Sequence, residues 1–120
     1  MKKRLLICDD QPNIRESYKL IFEEGYDLVF AQNGQDVLLW LKEGNKPDLV
    51  IMDIKMPKMD GLTALKELKK LQPDLPVLVV TGYDCVETAA LALQSGALDY
   101  IVKPFDPTQI LRSVQKTLCG

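Results

Sequence analysis

Three aspartates, a threonine and a lysine stand out because each follows a short apolar run. Asp9 and Asp10 follow LLIC at 5–8, Asp53 follows LVIM at 49–52, Thr81 follows VLVV at 77–80, and Lys103 follows YIV at 100–102. Two or three carboxylates brought together repel one another. A hard cation among them offsets that cost, and magnesium is such a cation, taking oxygen ligands from a few carboxylates and waters. Lys103 adds a positive charge that favours an ionised carboxylate or an incoming phosphoryl oxygen. A carboxylate is itself a nucleophile toward phosphorus and gives an aspartyl phosphate. Cation and lysine would neutralise charge on the transferring group, and the Thr81 hydroxyl would bond a phosphoryl oxygen.

These residues work together only if the chain brings them to one place. The four runs, with LVFA at 28–31, are nearly continuous rather than alternating, as expected of strands covered on both faces of a parallel sheet. Helical periodicity lies between and after them. Ile14, Tyr18, Ile21 and Phe22 share one face, with Pro12 placed to open the helix and Gly25 to close it. Val37, Leu38 and Leu41 form a second stripe behind Asn33, which reads as a helix cap rather than part of a hairpin turn. Leu62, Leu65, Leu68 and Leu71 form a third, and Val86, Ala89, Ala90 and Leu93 a fourth that ends at Gly96. The fifth is Ile110, Leu111, Val114 and Leu118, capped by Asp106, opened by Pro107 and completed by Gln109 in a capping-box-like pair. The pattern is five β/α units in an open parallel sheet with helices on both faces. Ligands bind such sheets beyond the carboxyl ends of the strands. If the first strand is central, Asp9, Asp10, Asp53, Thr81 and Lys103 converge on one crevice.

Composition narrows the chemistry. The 120 residues read as one domain without repeat, linker or low-complexity segment. The net charge of −2, from 15 basic and 17 acidic residues interspersed along the chain, gives no electrostatic case for nucleic acid or an anionic membrane. There is no histidine, so neither a Ser-His-Asp nor a Cys-His device can form. Cys8, Cys85 and Cys119 show no CxxC spacing, which argues against zinc and suits a reducing cytoplasm. Cys8 lies in an apolar run and reads as buried. MKKRLLIC meets Asp9 and Asp10 after only four apolar residues, too few for an export signal, and no run is long enough to span a membrane.

With the acidic pair DD at 9–10, DIKMPKMDG at 53–61, VVTG at 79–82 and KPF at 103–105, the chain resembles the receiver domain of bacterial two-component and phosphorelay response regulators. The resemblance covers essentially the whole chain. It implies a flavodoxin-like (βα)5 doubly wound fold, a five-stranded parallel sheet in order 2-1-3-4-5, with residues 1–120 a single receiver domain and no output domain. Residue by residue it implies that Asp53 is the phosphoacceptor, Asp10 the direct metal-binding acid and Asp9 its partner. The backbone carbonyl of Lys55 is a further contact to Mg2+ or Mn2+. Thr81 corresponds to the switch hydroxyl, Lys103 to the phosphate-binding lysine and Tyr100 to the switch aromatic. The Lys103–Pro104 bond is expected to be cis, orienting the lysine, and Pro57 and Gly61 to shape the loop after the third strand, where glycine frees the backbone. Lys55 and Tyr83 lie where receivers vary and tune phosphoryl lifetime. Gly82 stands where alanine is common.

Taken singly, each residue has a plainer reading. Asp53 can end a strand and cap a turn, and Asp10 can cap the first helix, with or without binding metal. Thr81 can be a β-branched strand residue, Lys103 a solvated turn lysine and Tyr100 core; Trp40 reads as packing and receives no role. Two other functions compete. A haloacid-dehalogenase-type phosphohydrolase has a second acid two residues after its nucleophile, where this chain has Lys55, and a cap insertion that this chain lacks. A flavin-binding carrier of similar topology needs a Ser/Thr/Gly-rich phosphate loop, where this chain has the acidic DDQPN. The expectation is therefore a cytoplasmic, phosphorylation-activated switch rather than an enzyme. Asp53 would take a phosphoryl group from a sensor histidine kinase or a histidine phosphotransfer protein. The output would pass to a protein target through the fourth helix, fifth strand and fifth helix, with Leu91, Ala92 and Tyr100 on that face, in a monomer or a phosphorylation-dependent dimer. A stand-alone regulator or relay intermediate is expected, the alternative being the N-terminal receiver of a longer transcriptional regulator. Neither nucleic acid nor membrane is expected to bind this chain.

Overall fold

A computed structural model describes residues 2–55, 61–82 and 85–119. Strands and helices alternate throughout: β1 (Lys3–Cys8), α1 (Pro12–Phe22), β2 (Tyr26–Ala31), α2 (Gly34–Lys42), β3 (Leu49–Met52), α3 (Gly61–Leu71), β4 (Val77–Thr81), α4 (Val86–Gln94), β5 (Asp99–Val102) and α5 (Pro107–Cys119). The sheet is parallel, in the order β2-β1-β3-β4-β5. This is the flavodoxin-like arrangement expected from the resemblance, with β1 inside the sheet and its carboxyl end beside that of β3.

Period-two alternation divides the core. Leu6, Cys8, Val50, Met52 and Val79 join Val37, Leu41, Leu65 and Leu68 on the α2–α3 side, with Ala92 of α4 in the same cluster. Leu5, Ile7, Ile51, Leu78, Val80 and Ile101 join Tyr18, Phe22, Ile110 and Val114 on the α1–α5 side. β1, β3 and β4 are therefore apolar on both faces. β2, at one sheet edge, leaves Leu28, Val29 and Phe30 only half-buried, and at the other edge β5 buries Ile101 alone fully.

Local signals explain several helix ends. Asn33 accepts from the Asp36 N–H at 2.9 Å and starts α2 as expected. Asp106 accepts from the Thr108 N–H at 2.9 Å, with Pro107 opening α5. Gly44 and Gly96 follow α2 and α4 at φ +94° and +110°, a conformation that side-chain-bearing residues resist.

Other expectations fail. Gln11, not Asp10, sits at the N-cap of α1 and makes no side-chain cap. The helix ends at Phe22 with Glu23 as C-cap, so Gly25 lies in the following turn, its N–H bonded to the Phe22 carbonyl at 3.1 Å. On α4 the expected inner face is wrong. Val86 is 86% exposed and Leu93 48%, while Ala92, expected on the partner face, is the residue fully buried. α4 is apolar nearly all round, so its pattern selects no face, and the smallest side chain fits where the helix meets the sheet. Leu71 likewise ends α3 at 44% exposure.

Candidate functional site

The site is built by extending the sheet's backbone ladder past the strands. The Asp53 N–H donates to the Cys8 carbonyl at 3.0 Å, the Asp9 N–H to the Ala31 carbonyl at 3.2 Å, and the Lys103 N–H to the Thr81 carbonyl at 2.8 Å. These bonds bring the first residues beyond β1 and β3 side by side and pin the start of the β5–α5 loop to the end of β4. Asp9 and Asp53 are buried, 1% and 5% exposed, and Thr81 is fully buried. Asp10 is exposed.

Asp9 and Asp53 are held in the same way. Oδ1 of each accepts from a backbone N–H two residues on, Gln11 for Asp9 and Lys55 for Asp53, both at 2.9 Å. Such turns are characteristic of aspartate. Oδ2 of each accepts from Lys103 Nζ at 2.7 Å. The lysine thus bridges two carboxylates 94 and 50 residues away in the chain. Burial alone would lower its pKa, but the hydrogen bonds and charges of Asp53 and Asp9 outweigh burial and raise it above the ordinary value of 10.5. Below them the Cys8 thiol is pushed far up, first by burial and then by the Asp9 and Asp53 charges, which disfavours its thiolate.

One carboxylate oxygen from each of Asp9, Asp10 and Asp53 lies within 4.8 Å of the others. An all-oxygen set with two negative charges in excess of the lysine's one fits a hard divalent cation, since each carboxylate oxygen keeps a second lone pair beside its present bond. The Lys55 backbone starts at this cluster through its N–H. The Lys103–Pro104 bond is cis. Tyr83 and Pro57 lie outside the described residues.

Thr81 and Tyr100 belong to the other face in the strand alternation. Strand alternation continues Asp9, Asp53 and Lys103 from Ile7, Ile51 and Ile101 on the α1–α5 side. Thr81 instead follows Val79, on the side where Tyr100 packs half-buried against the other cluster.

Gly61 fits the site for a reason different from the one expected. Its backbone is not in the left-handed region. A Cβ there would lie 2.2 Å from the Ile54 Cα and 2.9 Å from the Asp53 carbonyl oxygen. The absence of a side chain lets α3 begin against the backbone of Asp53 and Ile54. Sequence reasoning missed Arg15, whose Nη1 donates to the Asp9 carbonyl oxygen at 3.0 Å. The available signal was an arginine in the first turn of a helix directly behind an acid pair, because helical side chains lean toward the N-terminus.

The family described as the response regulator receiver domain matches residues 5–115. The regulatory protein AtoC of Escherichia coli is 42% identical over 96% of this chain, which spans only 25% of AtoC. The chemotaxis protein CheY of Bacillus subtilis is 39% identical over 98% of this chain and 99% of its own length. A CheY-like receiver from Methanospirillum hungatei superposes with a TM-score of 0.92 at 36% identity, over 99% of this chain and 95% of that one. The chain spans about a quarter of the length of the first transcriptional regulators it matches. The sheet order, the lysine bridging two buried aspartates and the match over nearly the whole sequence lead to one conclusion: this chain belongs to the response regulator receiver domain family.

Proposed function

We propose that Asp53 accepts a phosphoryl group from a phosphohistidine of another protein and that the modified domain signals through the α4–β5–α5 face. The observation that carries this reading is the Lys103 ammonium held 2.7 Å from both Asp9 and Asp53. It places a fixed positive charge where phosphoryl oxygens would gather around Asp53. In the transfer, an Asp53 carboxylate oxygen attacks phosphorus, the P–N bond of the donor breaks, and the imidazole leaves and takes up a proton. The donor histidine comes from a kinase or phosphotransfer protein, because this chain has none. Geometry treats Asp9 and Asp53 almost alike; the family pattern DIKMPKMDG selects Asp53.

Asp9, Asp10, Asp53 and the Lys55 carbonyl would hold Mg2+ or Mn2+, which supplies charge neutralisation to the transferring oxygens. Lys103 holds one of those oxygens, and the Thr81 hydroxyl donates to another. That pulls Thr81 toward the acids, and Tyr100, on the same side of the sheet, follows it. The result shifts an existing equilibrium of the α4–β5–α5 surface, where Leu91 and Leu93 are about half exposed, at 49% and 48%. Lys55 and Tyr83 tune the lifetime of the phosphoryl group. The domain is thus a phosphoacceptor switch, not a turnover enzyme, and acts in the cytoplasm. Its partners are the donor and a protein target. We read it as a stand-alone regulator or relay intermediate, with the N-terminal receiver of a longer regulator of the AtoC kind as the alternative; the length of the native product decides between them.

The test is intact-protein mass after incubation with acetyl phosphate, with and without magnesium, on the wild type, Asp53→Asn and Asp9→Asn. The expected result is one phosphoryl group, lost in Asp53→Asn and in the absence of magnesium. Labelling that survives Asp53→Asn sinks the assignment.

A further inference from the structure

We infer that Arg15 is a positioning residue for the cation site: it clamps the peptide plane that joins Asp9 to Asp10. The inference rests on the reading of Asp9, Asp10 and Asp53 as cation ligands. Asp9 is already anchored at its N–H by Ala31, at Oδ1 by Gln11 and at Oδ2 by Lys103. Its carbonyl oxygen lies outside the α1 ladder, whose first turn closes on Gln11, the carbonyl of which accepts from Ile14 and Arg15 at 3.1 Å each. The half-buried Arg15 guanidinium reaches back from α1 and donates to that oxygen at 3.0 Å.

Peptide planarity makes this bond matter to Asp10. The carbonyl oxygen of Asp9 and the nitrogen and Cα of Asp10 lie in one plane, so holding the oxygen fixes where the Asp10 side chain sets out. Asp10 is the exposed member of the three acids, and its side chain takes its direction from this plane. A hydrogen bond from an ionised guanidinium is stronger than a neutral one. The same charge beside the acids repels an incoming cation, so the two effects of Arg15 have opposite signs. If Arg15 acts chiefly as a nearby charge, removing it tightens cation binding. If it acts as the clamp, removing it weakens binding.

The experiment is calorimetric titration of the intact chain with Mn2+ alone, on the wild type, Arg15→Met and Arg15→Lys, with thermal unfolding in parallel. The clamp predicts about tenfold weaker Mn2+ binding in Arg15→Met, the scale typical of groups that orient metal ligands. Arg15→Lys, which keeps the charge and one donor of shorter reach, is expected to weaken binding less than Arg15→Met does, and it reports alone if Arg15→Met does not fold. Unchanged or tighter Mn2+ binding in a folded variant overturns the inference, whatever its melting temperature, because a merely structural arginine lowers stability without moving the affinity. Failure of the wild type to bind Mn2+ instead removes the cation reading on which the inference stands.

Discussion

Replacing Gly61 by alanine tests how the acceptor is held. On helix propensity alone the change stabilises by up to about 1 kcal/mol, since Gly61 begins α3. The structure predicts the opposite sign. The new Cβ would meet the Ile54 Cα at 2.2 Å and the Asp53 oxygen and Ile54 Cβ at 2.9 Å, against about 3.5–4.0 Å for unstrained carbon contacts. Two of these neighbours are backbone atoms, so relief requires α3 or the Asp53–Ile54 segment to move by more than about 1 Å. Overpacking of a well-filled site costs about 1–3 kcal/mol, and the involvement of backbone puts Gly61→Ala at the upper end, near 3 kcal/mol. With an unfolding entropy of about 2.1 cal/mol/K per residue, that loss lowers Tm by about 12 °C for this chain. The assay is thermal unfolding by circular dichroism, with Gly25→Ala as control; a Cβ at Gly25 meets nothing within 4 Å, so that variant is expected to be neutral or stabilised by about 0.4–1 kcal/mol. A Gly61→Ala protein as stable as the wild type would refute the close-approach argument, and a more stable one would return Gly61 to an ordinary helix start.

Lys103→Met leaves Asp9 and Asp53 buried without their cation and is expected to cost about 3 kcal/mol in urea unfolding, the lower end for breaking a buried pair. Adding Asp53→Asn should recover part of that loss, and no recovery would mean that carboxylate repulsion is not its source. Alkaline pH should destabilise the fold in order. The pKa of Cys8, Tyr18 and Lys103 are all raised on folding from ordinary values of 9.0, 10.0 and 10.5, so the stability each provides is whole below its ordinary value and is lost as pH rises above it. The Cys8 contribution alone falls by on the order of 1 kcal/mol by pH 10, and Cys8→Ala should flatten the urea midpoint between pH 8 and 10; an equally steep fall in that variant would remove Cys8 as the cause. Thiol counting with a charged disulfide reagent should find Cys85 and Cys119 accessible in the folded protein and Cys8 reactive only on unfolding, in line with their burial; rapid labelling of all three would contradict the packing beneath the site.

The sequence by itself determined what local physics controls. Apolar runs of three or four residues and helical stripes set the five β/α units, Asn33 and Asp106 set their helix starts, and the polar residues after four of the runs marked Asp9, Asp10, Asp53, Thr81 and Lys103. The family resemblance added the strand order and the roles. Long-range contacts decided the rest. Placement of β1 between β2 and β3 sets Asp53 against Cys8, and only then can one lysine bridge acids 94 and 50 residues distant. The inner face of α4 was illegible because the helix is apolar nearly all round, and burial of Ala92 is a matter of fit against the sheet. Gly61 was legible as a glycine but not as a point of backbone contact, and Arg15 was an ordinary helix arginine until the fold brought the Asp9 carbonyl within 3.0 Å of it. Periodicity and capping act over one or two turns of chain, whereas close approach and ion pairing depend on elements that meet only after the sheet has assembled.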